Sequence, residues 1–156
     1  MRKLTKNSKG FTLIELILVI VVLGIISAVA VPKIGNTIRN AKINTTKDEM
    51  MKLKIALIGD AEVRVGAIVI NKGYRGDMAM DPAAWADLVN APADPDLLYN
   101  RFTRMGWNGP YIEDDGELGF SKDSWDREYE LIGGYIVSKG PDETDPADDI
   151  KLKYIH

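Results

Sequence analysis

Lys9-Gly10-Phe11-Thr12-Leu13-Ile14-Glu15-Leu16-Ile17-Leu18-Val19-Ile20 opens a 24-residue run, 11–34, in which Glu15 and Lys33 are the only charged side chains. At about 1.5 Å per helical residue, roughly 20 residues cover the ~30 Å of bilayer hydrocarbon, so the run is long enough to cross a membrane. Arg2, Lys3, Lys6 and Lys9 precede it without any acidic residue, a local charge of +4. Basic flanks stay on the cytoplasmic side. The remaining residues sum to -7 against a chain total of -3, and this anionic part is expected outside the cytoplasm.

Three readings compete for the segment. A secretory signal peptide accounts for the basic start and the apolar run, with Ala28-Val29-Ala30 as a small-residue cleavage site before Val31. An ordinary single-span anchor accounts for the same features. Both leave Glu15 unexplained, because a carboxylate within an apolar membrane segment is costly and is kept for a purpose. The third reading uses it. The residues from Lys9 to Ile20 resemble the amino terminus of the type IV pilin and pseudopilin superfamily. That resemblance implies a prepilin peptidase cutting between Gly10 and Phe11 on the cytoplasmic face, N-methylation of Phe11, and retention of the apolar helix in the mature protein. It also implies that Glu15 of an incoming subunit meets the terminal amine of its neighbour in a filament and sets axial register. In a low-dielectric setting each charge is costly until it meets the other, which makes the pairing a reward for assembly. The plain alternative is a carboxylate that snorkels or sits protonated.

Composition narrows the classes further. With 156 residues, 46% hydrophobic and 28% charged, the chain holds about one domain once the amino-terminal run is set aside. It contains no cysteine and a single histidine, His156, at its end. Thiolate metal sites, disulfide frameworks and cysteine nucleophiles are therefore excluded, and multi-histidine centres and Ser/His/Asp triads lack support. The anionic balance gives no footing for nucleic-acid binding.

After Pro32 the pattern becomes amphipathic. Ile43, Met50, Leu53, Leu57 and Ala61 fall near helical spacing, leaving Lys42, Lys47, Asp48, Lys52 and Lys54 for solvent or other subunits. The spacing predicts one helix from the apolar run to about residue 62. Gly24 with Ala28 makes a small-xxx-small pair and Pro32 removes a backbone hydrogen bond; both suit a helix that bends, or are simply tolerated in a membrane helix. The resemblance implies loss of helical order between them on assembly. Residues 63–100 are read as a connecting region with a short helix, Asp81 capping it and Trp85, Leu88 and Val89 packing on the long helix. Tyr129 to Ile132 and Tyr135 to Ser138 flank Gly133-Gly134 as a hairpin, while Ile150-Lys151-Leu152-Lys153-Tyr154 alternates as a half-buried strand. The expected fold class is α+β and pilin-like: a long amino-terminal helix packed on a small antiparallel sheet. Its parts are a leader (1–10), a transmembrane and assembly helix (11–35), an amphipathic half (36–62), the connecting region (63–100) and a β region with an acidic loop (101–156).

Gly106-Trp107-Asn108-Gly109-Pro110-Tyr111-Ile112, Asp123-Ser124-Trp125-Asp126-Arg127-Glu128-Tyr129 and Ser138-Lys139-Gly140-Pro141-Asp142 resemble the head of the major pseudopilin of type II secretion systems. Asp126 stands where that family usually has glycine, residues 113–121 look like an added acidic turn, and the last loop is short. Asp142, Glu143, Asp145, Asp148 and Asp149 fall within eight positions. Without a cation they repel; a hard divalent ion accepting six to eight oxygens would order them. The resemblance implies a structural Ca²⁺ there, with Asp142 as the first ligand, Asp145, Asp148 and Asp149 as candidates and Ser138 near, against the alternative of a solvated acidic loop. Glu113, Asp114, Asp115 and Glu117 have no accompanying nucleophile or phosphate loop, so no enzyme activity is expected. The implied role is a homo-oligomeric periplasmic filament, anchored in the inner membrane with its amino terminus cytoplasmic. Its partners would be minor pseudopilins, an inner-membrane platform protein with its ATPase, and the prepilin peptidase/methyltransferase, and its work protein export through an outer-membrane channel. A surface type IV pilin for adhesion or motility, and a soluble periplasmic protein released by signal peptidase, are the alternatives.

Overall fold

The computed structural model describes residues 10–66, 68–114 and 116–155, without the side chains of 29–33, 64, 68 and 69. Helix α1 occupies Leu13–Ile58, and the chain forms two compact units, Met1–Asn40 and Ala41–His156. In the first unit every described side chain from Gly10 to Ala28 is exposed, among them Leu13, Ile14, Leu16, Ile17, Leu18 and Val19. A helix apolar on all sides has no self-contained way to hide that surface from water; it requires lipid or other helices.

In the second unit one face of α1 carries the core. Thr46, Met50, Leu53 and Leu57 are fully buried and Ala56 nearly so, the three-and-four spacing of a single helical stripe. Ile43 is only half-buried. The helix stops at Ile58, four residues short of the expected 62, because Gly59 takes a left-handed conformation (φ 76°) and its N–H bonds Ile55 O at 2.7 Å. A Cβ on Gly59 would collide with the Asn71 carbonyl, and one on Gly73 with the Gly59 backbone, so the helix end and the returning chain touch through two glycines. Ala61, expected on the apolar face, lies exposed in a strand instead.

That strand, β1 (Asp60–Val65), pairs antiparallel with β2 (Ile68–Asn71), with an irregularity between Asp60 and Arg64. Helix α2 (Gly73–Met78) follows and ends at Ala79 in the left-handed region, burying Tyr74 and Met78. The short helix expected after Asp81 is a single 3₁₀ turn, Trp85–Leu88. Its cap is not Asp81, which pairs with Arg75 at 2.5 Å. Asp87 reaches back from inside the turn to accept the N–H groups of Ala83 and Ala84 at 2.9 and 3.0 Å. Trp85 and Leu88 do enter the core beside Met50, Leu53 and Leu57.

The carboxyl-terminal sheet has the order β3 (Glu130–Ile132), β4 (Tyr135–Ser138), β5 (Ile150–Lys153), antiparallel throughout, with Glu130 opposite Val137 and Ser138 opposite Ile150. Gly133 and Gly134, both at positive φ (58° and 83°), make the β3–β4 turn, the double left-handed geometry that a tight hairpin demands. Ile136, Tyr129 and Tyr154 bring this sheet into the same core. The fold is α+β, as the sequence pattern predicts.

Candidate functional site

At the amino terminus Gly10 and Phe11 precede α1 in open backbone, and Phe11 is 84% exposed. Thr12 is the residue before the first helical turn. Its N–H and hydroxyl both donate to Glu15 Oε2, at 2.9 and 2.7 Å, and its Oγ1 accepts the Glu15 N–H at 3.4 Å. This reciprocal arrangement is a capping box: it satisfies helix-end donors that would otherwise lack partners. The spacing Thr-x-x-Glu before an apolar run was a signal for it, and reading Glu15 only as an assembly residue misses that function. Gly24 lies within α1 with open space where a Cβ would stand. Helical backbone also runs through Pro32, whose side chain lies outside the described residues, as does the leader before Gly10.

The acidic loop belongs to a different arrangement. Asp123, 6% exposed, accepts the N–H groups of Trp125 and Arg127 on Oδ1 at 2.8 and 3.0 Å, and the hydroxyl of fully buried Ser138 on Oδ2 at 2.5 Å. Ser138 Oγ in turn accepts the Gly140 N–H at 3.1 Å. From the same turn the Arg127 guanidinium donates to the carbonyl oxygens of Gly140 and Pro141 at 2.6 and 3.1 Å. Gly140 (φ 64°) lies so close to the far arm of the loop that a Cβ would sit 2.6 Å from the Asp148 carbonyl oxygen. Asp126 is left-handed too (φ 66°), a conformation that glycine adopts without steric cost.

The expected calcium ligands are not brought together. Asp142 Oδ1 accepts the N–H and hydroxyl of Thr144 at 3.0 and 2.9 Å, Asp145 Oδ1 accepts the Ala147 N–H at 2.9 Å, and Asp149 Oδ2 faces Lys151 Nζ at 3.4 Å. The Thr144 donors, with the Arg127 charge adding, hold the Asp142 carboxyl below its ordinary range. Asp148 lies on the far arm, and Ser138 is engaged with Asp123. Among the described residues no three His, Cys, Asp or Glu side chains form a group able to hold a metal ion. Of the second acidic group, Asp114 closes a turn by accepting the Leu118 N–H at 2.9 Å, and Asp115 lies outside the described residues.

Three aromatic tips hold the segment between α2 and β3, two by bonds within it and one by a bond to α1. Trp85 Nε1 donates to Tyr129 O and Trp107 Nε1 to Asp87 O, both at 2.8 Å, and Tyr129 Oη donates to Glu49 Oε2 at 2.9 Å. Burial, then Glu49, pushes the Tyr129 phenol well above its ordinary value, and burial does the same to Tyr111, whose hydroxyl donates to Asp77 at 3.2 Å.

Residues 5–31 match the family model for the prokaryotic N-terminal methylation motif. Three curated relatives, each named type IV major fimbrial protein FimA, from Dichelobacter nodosus, are 37% identical to the chain over 49 residues, 31% of this chain and 31% of each relative. No solved structure matches the chain. The chain thus carries the amino-terminal segment of the type IV pilin superfamily. It spans about a third of the length of the curated relatives it matches. The motif is that of a membrane-anchored precursor; among the described residues no helix is long and apolar enough to cross a membrane.

Proposed function

We propose that the chain is a pseudopilin: an inner-membrane precursor, cut after Gly10 by a prepilin peptidase and N-methylated on Phe11, that polymerises through its amino-terminal helix. Its function is structural and not enzymatic. Subunits added at an inner-membrane platform extend a periplasmic filament, with minor pseudopilins as further partners, and the growing filament drives protein export across the outer membrane. One observation carries the reading: the methylation motif opens directly into a helix whose described side chains through Ala28 are all exposed and almost all apolar. Such a helix is stabilised by lipid before assembly and by neighbouring helices after it. Glu15 is the assembly residue, and Gly24 and Pro32 give the helix its flexibility.

The second reading, a surface type IV pilin, is favoured by the fimbrial names of the relatives. Against it, the chain has no cysteine with which to close a carboxyl-terminal loop, as secreted surface domains often do, while the Trp107 and Trp125 segments resemble a pseudopilin head. Intact mass of the membrane-extracted protein with amino-terminal fragmentation tests the core of the proposal. A chain beginning at N-methylated Phe11 supports prepilin processing; one beginning at Val31 overturns it. Immunogold labelling then separates the two readings, because cell-surface fibres mark a pilin and periplasm-confined filaments a pseudopilin.

A further inference from the structure

We propose that the Arg127 guanidinium is the resident cation of the 139–149 loop, and that this loop closes without a divalent ion. The carbonyl oxygens of Gly140 and Pro141 are ligands of the kind calcium takes, and both accept hydrogen bonds from Arg127, at 2.6 and 3.1 Å. Arg127 is itself held in place, since its backbone N–H donates to Asp123, the carboxylate that also receives Ser138 from the strand leading into the loop. The planar two-donor fork suits two carbonyls of adjacent residues in a way that a point charge would not. Meanwhile three of the five carboxylates are engaged locally: Asp142 with Thr144, Asp145 with Ala147 and Asp149 toward Lys151. A cation built into the chain is present at every ion concentration, so loop order is uncoupled from calcium supply. This departs from the calcium-bound loop that the resemblance to major pseudopilins implies.

Amide hydrogen exchange read by mass spectrometry on the full chain in detergent micelles tests the idea, comparing excess chelator with about 1 mM calcium, the weak end of protein calcium sites. In the unsubstituted chain, exchange across 138–150 is expected to be the same in both conditions. Arg127→Gln should raise exchange there roughly tenfold or more, the loss expected for hydrogen bonds from a charged donor, and calcium should not restore it. Arg127→Lys, which keeps the charge and loses the fork, should fall between. Faster exchange of the unsubstituted chain in chelator would overturn the proposal, and so would wild-type protection in Arg127→Gln. Should Arg127→Gln fail to fold, the chelator comparison and Arg127→Lys still decide.

Discussion

Replacing Asp123 by alanine should lower the melting midpoint of the head by more than about 10 °C. The carboxylate accepts three hydrogen bonds, two from the turn N–H groups of Trp125 and Arg127 and one from Ser138. A hydrogen bond to a charged group is worth about 1.5–3 kcal/mol net. Ser138 is fully buried, so its hydroxyl loses that bond without replacement by water. The two turn N–H groups are half-buried and recover part of theirs by hydration. The total is therefore about 3–5 kcal/mol, short of three full bonds. For a unit the size of Ala41–His156, each kcal/mol moves the midpoint by about 4 °C, giving a fall of roughly 12–20 °C. Asp123→Asn keeps an acceptor for the backbone N–H groups and should cost only about 1 kcal/mol. Thermal melting of the full chain in detergent, followed by tryptophan fluorescence, measures both. If the alanine variant melts within about 3 °C of the unsubstituted chain, or if the two variants melt together, Asp123 does not organise this corner of the head.

Glu15→Ala should abolish filaments while leaving removal of the leader intact, as read by electron microscopy and intact mass; normal filaments would sink its assembly role. At Asp126, φ 66° makes a β-branched side chain costly, so Asp126→Val should lose about 1–2 kcal/mol in denaturant titration while Asp126→Gly loses none; equal midpoints would show that the turn relaxes. Alkaline stability should fall from about pH 10 upward, because the Tyr111 and Tyr129 phenols keep their protons in the folded head beyond the pH at which the unfolded chain releases them. Each such tyrosine steepens the fall by about 1.4 kcal/mol per pH unit, so Tyr129→Phe should flatten the curve, and an unchanged slope would contradict its burial.

The features legible in the sequence were those with a strong local period or a mandatory residue pair. The three-and-four spacing of Met50, Leu53 and Leu57 and the Gly133-Gly134 turn each require their structure almost regardless of context. The β1–β2 hairpin and α2 were not legible, because what organises them is a contact between Gly59 and Gly73, far apart in sequence and recognisable only once the chain has turned back. Asp81 failed as a cap for a related reason: two carboxylates competed for the same turn, and Asp81 was taken by Arg75, itself part of an unforeseen helix. At the acidic loop, charge density along the chain suggested convergence. Side chains two residues from their own backbone donors satisfied themselves locally instead, and the cation that reaches the loop comes from a neighbouring turn.

The capping box at the start of α1 changes what an intersubunit contact at Glu15 must accomplish. In the separate chain that carboxylate already has two donors from Thr12. In the proposed filament a neighbour's amine would therefore not find an idle charge; it would displace an existing partner, and joining would be an exchange reaction. The driving force for register in that filament is then a difference between two occupied states, smaller than the full worth of either pairing.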